Sequence, residues 1–345
     1  MAVNVHETQT DGDVRRPETP EGTMRAIVQN EYGTADVLRL AEVDIPSPTA
    51  NQVLLRVRAA GLDRGAWHVM TGKPYAVRLF FGLRKPKNPG TGQEVAGTIV
   101  ATGAAVTRFA VGDEVFGIAR GAFAEYAVAS EDKLAMKPHD LTFERAAVVA
   151  VSALTALQAT RDVGRVQSGQ KVLIVGASGG VGSYAVQLAK ALGAEVTGVC
   201  STAKLDLARS LGADHVIDYT RDDFADGTHR YDLILDIAGN AAISRLRRAL
   251  TPTGTAVMVG GEEGGRLTGG IDRQLRARIV SMFVRQRLTG LLCKERFSDL
   301  EFLAELIAAG ELTPSVGTTY PLDQVPQAMR DLERGSVRGK VAIAV

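Results

Sequence analysis

Two hydrophobic patterns divide the chain. Lys171-Val172-Leu173-Ile174-Val175 is a continuous apolar, β-branched run, the pattern of a strand buried on both faces. Gly176, Gly179 and Gly182 interrupt it, and Tyr184 to Lys190 then follows with helical spacing. A second strand is predicted at Ala194 to Val199. Further strands are predicted at His215–Ile217, Asp232–Asp236 and Thr255–Val259, with helical stretches between them. This alternation over 151–297 predicts an α/β, doubly wound parallel sheet. From Met24 to about Ala150 the period is shorter. Gln52–Ala59, Glu94–Val100 and Asp113–Gly117 read as short strands between turns, which predicts a mostly β domain, a distorted barrel. After Phe297, helices are predicted at Leu300–Ala309 and Val325–Leu332, and a strand at Lys340–Val345. We expect this tail to rejoin the first domain, so that 24–150 and 298–345 form one unit and 151–297 is inserted in it.

Composition narrows the class. The 345 residues are 45% hydrophobic and 23% charged, with a formal net charge of +1, as in ordinary globular enzymes. Nothing in that balance argues for nucleic acid. No apolar run reaches the length of a membrane span, so no membrane partner is expected. Residues 1–23 are polar and rich in Asp, Glu, Thr and Pro. They read as a disordered leader without the apolar stretch of a secretory signal. Cys200 and Cys293, the two cysteines, cannot build a disulfide framework, and a cytoplasmic location is expected.

The glycine-interrupted turn carries the first chemistry. Gly176, Gly179 and Gly182 remove the Cβ atoms that would keep a phosphate from the backbone. Ser178, Gly180 and Val181 share that loop, and the helix after it opens with unpaired N–H groups that favour an anion. In strand–turn–helix context this predicts dinucleotide binding; the plainer alternative is an ordinary glycine-rich turn. A binder of NAD usually places an acid at the end of the second strand for the ribose 2′-hydroxyl. Here that region reads Cys200-Ser201-Thr202-Ala203-Lys204. Two hydroxyls and an ammonium suit a 2′-phosphate, so NADPH is the expected cofactor, unless Lys204 is only a solvated residue on a helical turn.

These residues carry a resemblance. Gly176–Gly182 continuing through Gln187–Ala194, with Leu211–Tyr219, Gly112–Gly117 and Arg338–Val341, is similar to the medium-chain dehydrogenase/reductase superfamily, in its zinc-free quinone oxidoreductase-like branch. The resemblance implies a GroES-like catalytic domain, a Rossmann domain and a cleft holding NADPH and a carbonyl substrate. Zinc-dependent members use a Cys near the end of an early strand, a His before Glu, and a later Cys. Those positions fall at Asp63 and Gln93, and no cysteine precedes Cys200. No metal is therefore expected. Without a Lewis acid to hold an alkoxide, the expected reaction is hydride transfer to a quinone or an α,β-unsaturated carbonyl, where conjugation spreads the charge. The alternatives are a metal-free alcohol or aldehyde dehydrogenase, and a non-catalytic NADPH-binding sensor or scaffold.

The resemblance also proposes site residues. Related reductases place an Asn-Pro-x-Asp-like segment where this chain has Leu62-Asp63-Arg64-Gly65-Ala66, which weakens any carried-over proton donor. Asp63 either orients a ligand or caps a helix. His68 either relays a proton or lies on the surface. Tyr75 is the candidate donor to an enolate oxygen, and Gln93 a candidate partner of the carbonyl. Thr155 matches a position near the nicotinamide, Tyr219 one beside the adenosine phosphate, and Gly260 another cofactor contact. Lys340 is placed near the cofactor phosphates or simply exposed. The arginine-rich stretch 273–287 reads as a helix with its apolar side packed on the protein, as a lid or subunit contact; a membrane-surface or nucleic-acid role is the alternative. A homodimer is expected by analogy, through the edge of the Rossmann sheet, where Thr255–Val259 would lie.

Overall fold

A computed structural model describes residues 20–238, 241–260, 265 and 267–345. Most of the leader thus lies outside the described residues; the first strand, Thr23–Val28, starts where that leader was expected to end.

The apolar runs of the second half form a six-stranded parallel sheet. Its order is His215–Asp218, Glu195–Cys200, Lys171–Val175, Tyr231–Asp236, Leu250–Met258 and Arg287–Gly290. The reversal of strand order falls beside Lys171–Val175, where a doubly wound sheet opens a crevice for ligands. The glycine turn after that strand and the helix Gly180–Ala191 sit at this point.

Two expectations are corrected here. The stretch 273–287 is not one helix. The helix is Ile271–Ser281, and Arg287 begins a sixth strand. Ser281 closes the turn between them, donating to the Gln286 carbonyl and accepting from the Leu288 N–H. This helix does not pack its larger apolar residues inward: Ile271, Leu275 and Ile279 are exposed, whereas Arg273 and Ala277 are buried. The guanidinium of Arg273 is drawn in by Asp236, at 2.6 Å. Consequently Thr255–Val259 is not at the sheet edge. Leu250–Met258 pairs on both sides, and Arg287–Gly290 is the edge strand. A four-residue strand that starts with arginine has too little periodicity to be read from sequence.

The first half and the tail build a seven-stranded sheet. Gln52–Leu62 pairs with Glu94–Thr102, Tyr126–Ser130 and Lys340–Ala344. Val316–Pro321 adds parallel to Lys340–Ala344, so the tail does return to this sheet. The helix Phe297–Ala308 takes a different course. Its Leu300 and Leu303 enter a core cluster that holds Val172 and Leu235 of the parallel sheet together with Ala59, Ala96 and Phe116 of the other. Each such buried leucine is worth roughly 1.5–3 kcal/mol. The two sheets therefore share a core along one side of the cleft between them. Among the described residues no helix is long and apolar enough to cross a membrane.

Candidate active site

The glycine loop is built from three different constraints. Gly176 has φ +90°, a conformation that favours glycine, and a Cβ there would overlap Ala238. A Cβ on Gly182 would overlap the carbonyl of Gly176. These two are fixed by the protein's own packing. Gly179 is different. Its backbone is extended, and a Cβ on it would meet only the Gly176 carbonyl, at 3.3 Å. It heads the helix Gly180–Ala191 with no side-chain cap, which leaves helix N–H groups directed at the loop. The loop thus keeps open space and backbone donors at one spot, which fits a pyrophosphate. Ser178 and Gly182 are buried beneath the loop, and Gly180 and Val181 are half-buried.

The adenosine end is more crowded than the sequence suggested. Ser201 is half-buried. The Thr202 hydroxyl donates to Asp218, whose other oxygen accepts from the N–H and hydroxyl of Thr220 at 3.0 and 2.7 Å. An acid therefore does stand beside the end of the second strand, brought there by the neighbouring strand rather than by sequence proximity. It is engaged internally. Lys204 donates to the carbonyls of Gly335 and Val337, at 3.0 and 2.8 Å. Burial, followed by the charges of Arg338 and Arg64, holds its ammonium below the usual lysine range. Arg338 is paired with Asp206 at 2.7 Å. Three cations thus converge where two hydroxyls and one lysine had been read. Tyr219 is 61% exposed, and its N–H donates to the Cys200 carbonyl at the end of the second strand.

Where the seven-stranded sheet meets the helix Ala150–Leu157 lies a buried ion pair. Lys340 and Glu94 are 2% and 0% exposed and hydrogen-bonded to each other. Glu94 also accepts from the Val151 N–H at 2.8 Å. Burial pushes Glu94 up to about 7, against the opposing pull of Lys340. The expectation that Lys340 reaches the cofactor phosphates needs correcting: its amine turns to Glu94, because a carboxyl removed from water needs a counter-charge. Its stem still reaches the loop, since a Cβ on Gly180 would lie 3.0 Å from Lys340 Cδ.

Next to Glu94 opens a cavity of about 490 Å³. Leu38, Val69, Met70, Phe80, Phe81, Ile118 and Phe123 supply its apolar wall, and Gln93 a carboxamide. Of the four catalytic candidates, Gln93 is in this lining and the other three are not. Asp63 accepts from the Ala66 N–H at 2.8 Å and caps the helix Arg64–Thr71. His68 Nδ1 lies 2.7 Å from the Lys73 carbonyl and its ring stands edge-on to Trp67. Tyr75 is 42% exposed on a short turn, its ring under the Arg78 guanidinium. Thr155 donates to the Val151 carbonyl at 2.7 Å, in the helix that Glu94 anchors. Gly260 presents its carbonyl to Arg273, at 3.2 Å.

Three features are not legible in the sequence: the Glu94–Lys340 pair, Arg338 beside Lys204, and the Asp236–Arg273 pair. Arg273 ties the ends of two parallel strands together, bonding Asp236, the Ala241 carbonyl and the Gly260 carbonyl. The only sequence signal for these pairs was a charge inside an otherwise apolar run, as at Glu94 and Asp236.

The comparisons agree with this architecture. Residues 49–139 match the alcohol dehydrogenase GroES-like domain and residues 211–343 the zinc-binding dehydrogenase family. The chain is 32% identical to a chloroplastic quinone-oxidoreductase homolog of Spinacia oleracea, over 93% of this chain and 98% of that one. The quinone oxidoreductase of Coxiella burnetii superposes with a TM-score of 0.84 at 29% identity, covering 94% and 100% of the two chains. The Escherichia coli quinone oxidoreductase complexed with NADPH gives 0.80 at 25%, covering 93% and 100%. With its GroES-like sheet, its Rossmann sheet and the cleft between them, the chain is an oxidoreductase that belongs to the medium-chain dehydrogenase/reductase superfamily, in the quinone oxidoreductase-like branch.

Proposed function

We propose that this protein is a zinc-independent, NADPH-dependent reductase of quinones or α,β-unsaturated carbonyls. One observation carries the proposal. Gln93 lines the apolar cavity, the next residue, Glu94, pairs with Lys340, and the Lys340 stem lies against Gly180 of the glycine loop. A short relay of neighbours therefore runs from cavity to loop.

NADPH, when bound, supplies the hydride; the protein supplies position and charge. The open space at Gly179 and the uncapped helix would receive the pyrophosphate. Lys204 and Arg338 would meet the 2′-phosphate, and the engagement of Asp218 with Thr202 and Thr220 withdraws the acid that would otherwise favour NADH. The apolar wall excludes water and orients a flat, conjugated electrophile. The Gln93 amide donates to the oxygen on which charge develops. Glu94 and Lys340 hold the strand that follows Gln93 against the helix that starts at Ala150.

Zinc independence rests on the donor set. Asp63 is engaged as a helix cap, and Gln93 offers an amide where a zinc site needs an imidazole or thiolate. A homodimer through the Arg287–Gly290 edge and a cytoplasmic location, suggested by two free cysteines, complete the reading.

The test is a steady-state panel of quinones, enones and saturated aldehydes with NADPH and NADH, run with and without a chelator. The expected result is NADPH-dependent turnover of the conjugated substrates, unchanged by chelation. Faster turnover of saturated aldehydes would favour the alcohol dehydrogenase reading.

A further inference from the structure

The cavity has an asymmetry that a neutral quinone does not explain. Gln93 in its lining is half-buried, whereas Lys87 and Arg120 are exposed and stand where the lining meets solvent. Two crossing segments bring them to the same rim: a Cβ built on Gly90 would lie 3.3 Å from Gly121 Cα, so the chain bearing Lys87 runs directly against the chain bearing Arg120. Neither side chain has a carboxylate partner among the described residues. The acid in the lining, Glu295, lies 3.3 Å from Lys133. From Gly72 to Gln93 the sequence holds five basic residues and no acid, in a chain whose net charge is only +1. A mouth that is cationic above an apolar shaft recognises an amphipathic molecule with its charge at one end.

We propose that the natural substrate is a conjugated electrophile bearing an anionic group, carboxylate-like in charge and size, at the end remote from the reacting carbon. Lys87 and Arg120 receive that group at the rim. The planar fork of Arg120 matches a carboxylate in two-point contact, and Lys87 adds a mobile charge. The proposal rests on the reductase reading of the same cavity, and it specifies which members of that substrate class are preferred.

A matched pair of enones tests it: 4-phenylbut-3-en-2-one and its para-carboxylate, compared by kcat/KM with NADPH. The carboxylate is expected to be favoured about tenfold. Shared between two exposed charges, that tenfold makes Arg120→Met and Lys87→Met each lower the carboxylate-to-neutral ratio about threefold, or about 0.7 kcal/mol apiece, within the range of exposed pairs. Arg120→Glu should reverse the preference, and Arg120→Lys should retain part of it. About 0.5 M salt, where screening acts over a few Å, should erode the ratio. A ratio near unity in the wild type, or one that the three charge-removing variants leave unaltered, overturns the proposal. If neither enone is reduced, the reductase reading fails. The charge proposal is then decided by calorimetric binding of the two enones with NADP⁺ present. Tighter binding of the carboxylate, lost in Arg120→Glu, supports it, and equal binding overturns it.

Discussion

The glycine loop and the cavity wall solve opposite problems. The loop spans Gly176 to Gly182, and the glycines that keep it open lie within seven positions of one another, with Ala238 and Lys340 pressing on it from outside. The cavity wall draws on Leu38, Val69, Phe81, Gln93, Ile118 and Met329, which only the folded sheet brings together. The loop must stay small, and the wall must stay apolar. The turn offered to the pyrophosphate is therefore written largely in local sequence, whereas the adenosine end and the cavity wall are properties of the tertiary structure.

The sharpest way to break this contrast is within the loop itself. Gly182→Ala should destabilise the fold by about 2–4 kcal/mol, because the new methyl overlaps the Gly176 carbonyl. Gly179→Val should leave the unfolding midpoint nearly unchanged and weaken NADPH binding about a hundredfold or more, since its side chain fills space kept for a ligand. Denaturant unfolding and cofactor titration of both variants separate the two effects. If both lose stability equally, Gly179 too is fixed by packing.

The wall comes next. Gln93→Leu should lower kcat on an enone by about a hundredfold, the usual cost of losing one oxyanion donor, with little change in NADPH binding. Tyr75→Phe should change kcat by less than about twofold, because Tyr75 lies outside the lining and exposed. The reverse order would return the donor role to Tyr75.

At the adenosine end, Lys204→Ala should raise the KM for NADPH about tenfold, equivalent to roughly 1.4 kcal/mol, and leave that for NADH within about twofold. Equal changes for both cofactors would mean that Lys204 serves only to hold Gly335 and Val337.

A last effect, on stability alone, concerns the buried Glu94–Lys340 pair. Burial raises Glu94 above its unfolded value, from 4.5 to about 7. Below pH ~4.5 the carboxyl is protonated in both states, and its contribution is fully present. As pH rises towards 7 the unfolded chain releases the proton first, so that contribution is lost. Relative to Glu94→Gln, wild-type stability should fall by about 1–3 kcal/mol between pH 4.5 and 7.5. Parallel stability profiles would mean that the pair with Lys340 fully offsets the burial.

What was legible in the sequence follows the same division. The strand–glycine–helix run and the return of Lys340–Ala344 to the first sheet were readable, because period and turn chemistry are written locally. The edge strand Arg287–Gly290 was not readable, being four residues long and opened by a charge. Nor was the inward turn of Arg273, whose partner Asp236 lies on another strand. The sequence placed Lys340 near the phosphates because it sees a lysine and not the buried carboxyl opposite. Asp218 escaped for a similar reason: parallel pairing sets it level with Cys200, a neighbour 18 positions away.

The central claim is that loop and cavity form one reaction site for conjugate reduction. Reducing 4-phenylbut-3-en-2-one with NADPH deuterated at nicotinamide C4, on the transferred face, tests it most directly, with the product read by NMR. The account predicts deuterium at the carbon β to the carbonyl, in a saturated ketone. Deuterium on the carbinol carbon of an allylic alcohol would contradict it.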